Sequence, residues 1–337
     1  MVESAATNSS TTTLSLDEVR DKLFPGDATD VLKQFPTGSV DLIVTSPPYA
    51  NNRQKTYEGF PINKYVKLFL PIADELQRVL KPEGSFILNI KERAVNGERQ
   101  TYVLELILAL KKQGWLWTEE YIWCKSNCYP GKWPNRFRDS WERCLHFTLR
   151  KKFKMRQDRV MVPVGKWADA RLKNLSATDR MRDESKVGSG FGKNVSNWLN
   201  RELVYPTNVL HLATECANRD HSAAFPIALP SWFINLLTDE GDLVVDPFMG
   251  VGTTALAALS LNRHYSGVEL SPRYYEISQR IVEEARAKRE EMRDANGHRR
   301  IGDQNLGELE RVPQETTASC TEVARTAVVA TEESVPV

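Results

Sequence analysis

The residues best suited to chemistry are Thr45-Ser46-Pro47-Pro48-Tyr49. Ser46 brings a hydroxyl, Pro47 a backbone carbonyl and Tyr49 a flat ring. Two such oxygens can accept the hydrogens of an exocyclic amine, and the ring can stack on a heterocycle. Paired prolines fix φ and stiffen the loop, so the acceptors are aimed before a substrate arrives. A second set is Asp246-Pro247-Phe248-Met249-Gly250-Val251-Gly252-Thr253-Thr254. Its glycines let backbone approach a ligand closely, and the helix that follows offers free N–H groups. Glu269 comes about twenty residues beyond the glycines, a spacing that suits a ribose diol. No Gly-Lys-Ser/Thr follows the glycines and the third glycine of the dinucleotide fingerprint is absent, so neither of those phosphate loops is present.

Strands must carry both sets. Leu42-Ile43-Val44 is a short β-branched and aliphatic run that reads as a buried parallel strand. Pro47 and Pro48 end its ladder, because proline has no N–H to donate. Leu243 to Asp246 reads as a second buried strand, with a helix from about Ala255, and Tyr265 to Leu270 as a third. In open α/β sheets ligands bind beyond the carboxyl ends of such strands. Between these stretches the pattern alternates. Ala28 to Phe35, Tyr65 to Leu80, Thr101 to Gln113, Ala228 to Leu237 and Pro272 to Ala295 read as helices. Ser85 to Ile90, Trp115 to Trp123 and Leu145 to Leu149 read as strands, and Phe24 to Asp27 as a turn. Strand alternating with helix predicts an α/β, doubly wound sheet. The polar stretch 50–60 is placed to lie over the site.

The two motifs together resemble those of the amino-group DNA methyltransferases that use S-adenosylmethionine. Thr45 to Tyr49 matches that family's catalytic motif and Asp246 to Thr254 its cofactor loop. The catalytic motif comes first, as in the family's permuted class, and the likeness spans roughly residues 24–290. The resemblance implies a Rossmann-like, mixed seven-stranded sheet interrupted by a target-recognition region. It implies catalytic roles for Ser46, Pro47, Pro48 and Tyr49. It implies cofactor contacts for Asp27, Phe225, Asp246, Phe248, Gly250, Gly252, Thr253 and Glu269, with Asp27 near the adenine and Phe225 over the methionine end. The organisation expected is a disordered 1–13, a catalytic half at 14–149, the recognition region at 150–205, a cofactor half at 206–295 and a disordered tail at 296–337.

Charge supports a polyanion partner. The net charge is only +1, but residues 121–205 hold 19 Lys and Arg against 8 Asp and Glu, a net of +11. The rest holds 26 against 36, a net of −10. One basic segment on an otherwise acidic molecule is the electrostatic footprint of a polyanion partner. Lys151, Lys152, Lys154 and Arg156 form its densest run and are the residues expected on DNA. Five cysteines without a C-x-x-C pair argue for a reducing compartment, and against a disulfide scaffold or zinc site. No apolar run is long enough to span a bilayer and no secretory core is present, so the cytoplasm is expected, with no metal and no membrane.

The reaction expected is methyl transfer to an exocyclic amine of a base flipped out of double-stranded DNA. Ser46 at the head of its motif resembles the cytosine-N4 group; members acting on adenine N6 more often carry Asp or Asn there. Adenine N6 is therefore the alternative. An inactive nucleic-acid-binding protein on the same fold, and a methyltransferase for RNA or a protein amide, are further readings. A cognate restriction endonuclease acting on the same site fits the family. The sequence leaves the oligomeric state open.

Overall fold

Strand β2 (Val40–Thr45) is buried along its whole length. Val40 and Ile43 face a first apolar cluster, whereas Leu42 and Val44 face a second. Strand β3 (Leu80–Ile90) divides in the same way, with Phe86, Leu88 and Ile90 opposite Ile87. A strand covered on both faces must be apolar on both, which is why these runs read as continuous and not alternating. In this computed structural model the described residues are 12–50, 60–128, 134–165, 202–214 and 225–299. Six further strands share a sheet with these two: β1 (Lys22–Pro25), β6 (Leu116–Lys125), β7 (Trp141–Thr148), β10 (Val209–Leu212), β11 (Leu243–Asp246) and β12 (His264–Glu269). The order across this eight-stranded sheet is β1-β12-β11-β2-β3-β7-β6-β10. Strand β7 runs antiparallel to both neighbours and the other pairings are parallel. Two short antiparallel pairs join β4 (Ala94–Val95) to β5 (Glu98–Arg99) and β8 (Val162–Pro163) to β9 (Leu203–Val204).

Helices cover both faces. Two short helices, α1 (Leu16–Val19) and α2 (Ala28–Leu32), precede β2. With α3 (Tyr65–Val79) and α4 (Tyr102–Lys112) they supply the first cluster, through Phe69, Leu76, Leu106 and Leu110 among others. Helices α5 (Ala228–Leu237) and α6 (Thr253–Ser260) supply the second, through Phe233, Ile234, Ala255 and Ala258. Helix α7 (Pro272–Arg299) adds Val282. The chain forms two units, residues 1–288 and 289–337, and the described part of the second is the end of α7.

Several expectations change. The sheet has eight strands where seven were expected, because β10 pairs with the outer edge of β6. Residues 24–27 are not simply a turn. Lys22 to Pro25 is an edge strand that exists through its register with Ser266 to Glu269, and a four-residue run carries no period of its own. Helix α7 continues to Arg299, past the expected boundary at 295. The expected disordered ends lie almost wholly outside the described residues, as do most of the polar stretch 50–60 and most of the recognition region 150–205.

Candidate active site

Parallel pairing brings the carboxyl ends of β1, β12, β11 and β2 to one edge, where a cavity of about 380 Å³ opens. Its wall joins both motifs. Ser46, Pro47, Pro48 and Tyr49 meet Pro247, Phe248, Gly250 and Glu269 across it, with Gly26 and Asp27 at one side. Phe60, Ile72, Leu270 and Tyr274 give it apolar and aromatic surface.

Buried hydrogen bonds fix the two loops to each other. Thr45, the last residue of β2, donates its hydroxyl to Asp246 Oδ1 at 2.5 Å. Thr254 Oγ1 donates to Asp246 Oδ2 at 2.7 Å and Phe248 N to Oδ1 at 3.0 Å. Asp246 is 1% exposed, and burial pushes its carboxyl up to about 6. It lies behind the cavity wall as a bracket for both loops. The Ser46–Tyr49 loop is anchored farther along, where Arg93 donates to the Ala50 carbonyl at 3.3 Å and Tyr49 donates its hydroxyl to Glu142 Oε2 at 2.6 Å.

Glu269 ends β12 on the wall itself. Gly250 N donates to its Oε2 at 2.7 Å and Ser271 N to its Oε1 at 2.8 Å. Burial raises its carboxyl above the ordinary value. The Leu270 amide acts on it as well, and a carboxylate with about four lone-pair sites can still accept from a hydroxyl. Gly250 has φ of 56°, in the left-handed region. Gly252, at φ 95°, serves packing, because a Cβ there would lie 3.3 Å from Val282 Cγ2 and 3.4 Å from Ser278 Cβ. Asp27 caps α2 by accepting from Thr29 N at 2.8 Å, and the same residue faces the cavity.

The expected cofactor residues thus divide. Asp27, Phe248, Gly250 and Glu269 are on the wall, whereas Asp246, Gly252 and Thr253 lie behind it. Phe225 sits in the second apolar cluster, away from the wall. The basic run divides too. Lys151 and Lys152 are exposed. Lys154 pairs with Asp242 and lies 3.5 Å from Asp41 and 3.6 Å from Asp239. Arg156 grips Asp239 with two bonds, at 3.0 and 2.7 Å, and holds its carboxyl well below the ordinary value. These two cations clip the segment after β7 onto the turn before β11, which leaves Lys151 and Lys152 as the members of the run facing outward. Sequence reasoning passed over Phe60 and Tyr274 on the wall, and Glu142, whose carboxylate takes the Lys125 ammonium at 2.5 Å. Glu142 counted there only as one acid within a basic segment.

Comparison with known proteins agrees with this geometry. The chain is 29% identical over 279 residues to the type II methyltransferase M.PvuII of Proteus hauseri, covering 76% of this chain and 82% of that one. It is 30% identical over 263 residues to M.BglII of Bacillus subtilis, covering 77% and 68%. The solved PvuII DNA methyltransferase, described as cytosine-N4-specific, superposes with a TM-score of 0.57 at 25% identity, covering 80% of this chain and 86% of that one. TTHA0409 of Thermus thermophilus, solved with S-adenosyl-L-methionine, shares the fold, with a TM-score of 0.52 at 22% identity over 78% and 93% of the two chains. A family model described as DNA methylase matches residues 40–280, and the chain belongs to that DNA methylase family.

Proposed function

We propose that the protein transfers a methyl group from S-adenosylmethionine to the exocyclic N4 amine of cytosine in double-stranded DNA. One observation carries the reading: a single cavity whose wall joins Ser46 to Tyr49 with Gly250 and Glu269. The cytosine-N4 specificity printed for the PvuII enzyme supports the choice of base. So does Ser46, a neutral hydroxyl of short reach where an aspartate would bring a full charge.

The residues present fit the cofactor. Glu269 offers a carboxylate for the ribose hydroxyls, Asp27 another beside it, and Phe60 and Tyr274 offer faces for a purine. When bound, S-adenosylmethionine supplies an electrophilic sulfonium methyl. The protein's part is to make the amine a nucleophile. That lone pair is delocalised into the ring. Ser46 Oγ and the Pro47 carbonyl, accepting the two amine hydrogens, favour the pyramidal form whose lone pair points outward. Tyr49 stacks on the flipped base. Lys151 and Lys152 meet the phosphates. The same reading assigns the enzyme to the cytoplasm, on the nucleoid, and makes a restriction endonuclease of the same specificity its natural companion. No helix among the described residues is long and apolar enough to cross a membrane.

The test is mass spectrometry of nucleosides from DNA treated with the purified protein and S-adenosylmethionine. N4-methylcytosine without N6-methyladenine is expected. N6-methyladenine alone overturns the base assignment, and no methylated nucleoside overturns the reading in favour of a binding protein.

A further inference from the structure

Tyr49 stands on the cavity wall, but its hydroxyl is bound on the far side. The acceptor is Glu142 Oε2, at 2.6 Å, from the second residue of β7. Glu142 is only 4% exposed. A carboxylate so deep needs partners, because desolvation of an unpaired charge costs several kcal/mol. Its Oε1 takes the ammonium of Lys125 at 2.5 Å, from the last residue of β6, whose side chain also lies over the Trp123 ring at 4.9 Å. The next residue, Arg143, bonds Glu92 at 2.8 Å and Glu120. Strands β6 and β7 therefore fix the carboxylate that holds the phenol. A salt bridge kept only to tie β6 to β7 has no need of a bond to the catalytic loop.

We propose that Glu142, held by Lys125, is a positioning residue that sets the plane of the Tyr49 ring and enriches its face for the target base. The inference rests on the methyltransferase reading and deepens it. Setting the plane comes from geometry: the tether at the hydroxyl stops the ring swinging on χ1, and because a phenolic O–H lies in the ring plane, a fixed acceptor also restrains rotation on χ2, so the stacking surface is formed before DNA arrives. Enrichment comes from the charge. A phenol donating to a carboxylate in a short charge-assisted bond takes on partial phenolate character, which raises electron density over the ring. Methyl transfer forms a C–N bond, breaks a C–S bond and leaves the positive charge on the base until the amine loses a proton to water. An electron-rich ring under that charge stabilises it as a cation–π contact.

Two single variants and their combination test this. Tyr49→Phe keeps the ring and removes the tether. Glu142→Gln keeps the size and an acceptor oxygen and removes the charge. Each is expected to lower the single-turnover methylation rate about tenfold, the loss of one hydrogen bond to a charged group. Each should also reduce the fluorescence rise of 2-aminopurine placed at the target position, with cofactor affinity unchanged. The double variant should be no slower than Tyr49→Phe alone. Fold-losses that multiply in the double variant, or a wild-type rate and fluorescence in either single variant, overturn the proposal. If Glu142→Gln does not fold, Tyr49→Phe decides by the same two readouts. If the wild-type protein methylates no DNA, the functional reading falls and the proposal with it. If wild type methylates normally and the variants match it, the positioning role falls alone.

Discussion

Removing the charge from Asp246 should spare the protein the stability it loses as pH rises from about 4 through about 6. The carboxyl is buried and its pKa rises from the ordinary 3.8 to about 6 on folding. A raised carboxylate pKa means the native state binds the proton more tightly than the unfolded chain. The stability it contributes is fully present below about pH 4 and is lost as pH rises through about 6. The rise amounts to about 3 kcal/mol, at about 1.4 kcal/mol per pH unit. Asp246→Asn removes the titration and keeps the shape. The amide oxygen can accept from Phe248 N, and its amino group can donate to a threonine oxygen. Any fixed loss in those bonds shifts the variant's stability equally at every pH. Urea unfolding of both proteins from about pH 4 to about pH 8 isolates the ionisation. The variant should gain about 3 kcal/mol on wild type across that span. Parallel stability curves would refute the argument. A wild type that gains on the variant as pH rises would show that Thr45, Thr254 and Phe248 N outweigh desolvation.

Glu269→Ala removes the acceptor of Gly250 N and Ser271 N. It should weaken S-adenosylmethionine binding at least about tenfold by calorimetry, since bonds to a charged group are worth ~1.5–3 kcal/mol each. Charge reversal at Lys151 and Lys152 should flatten the salt dependence of DNA binding by roughly one unit of slope per lost phosphate contact. Lys154→Glu should act otherwise, lowering the melting temperature, because it sets a fourth carboxylate among Asp41, Asp239 and Asp242. An unchanged slope in the first pair, or an unchanged melting temperature in the second, breaks the division drawn between them. Burial holds the His146 imidazole down to about 4 from 6.5. That depressed pKa contributes stability above about pH 6.5 which is lost as pH falls toward about 4, and an NMR titration of the ring with a midpoint near 6.5 would disprove it.

The motifs were legible because their chemistry is local. Ser46 to Tyr49 and Asp246 to Thr254 each announce a strand, a stop and a loop within ten residues or so, and proline and glycine say what the backbone must do. The central strands were legible because they are apolar on both faces. What stayed hidden depends on partners far away in the chain. Strand β1 is defined by β12, and β10 by β6, so neither shows a period by itself. Lys154 and Arg156 belong to a dense basic run, and nothing in that run reveals that Asp239 and Asp242 will meet them. Glu142 is one acid among many cations until the fold places it behind Tyr49. Phe225 looks like a pocket aromatic in sequence and is core in space, since one ring cannot say which surface it meets.

The bond between Thr45 and Asp246 spans 201 residues of chain. It bears on how the molecule is made. As synthesis proceeds, β2 leaves the ribosome early, and β3 follows soon enough to pair with one of its edges. The other edge waits for β11, with unpaired N–H and C=O groups and an apolar strand behind them. Until β11 emerges the nascent chain is therefore a half-sheet with an adhesive border, the kind of surface that chaperones shield. Its proline loop exists throughout that period, yet the cavity wall lacks the glycine turn and Glu269 until the stretch after β11 emerges.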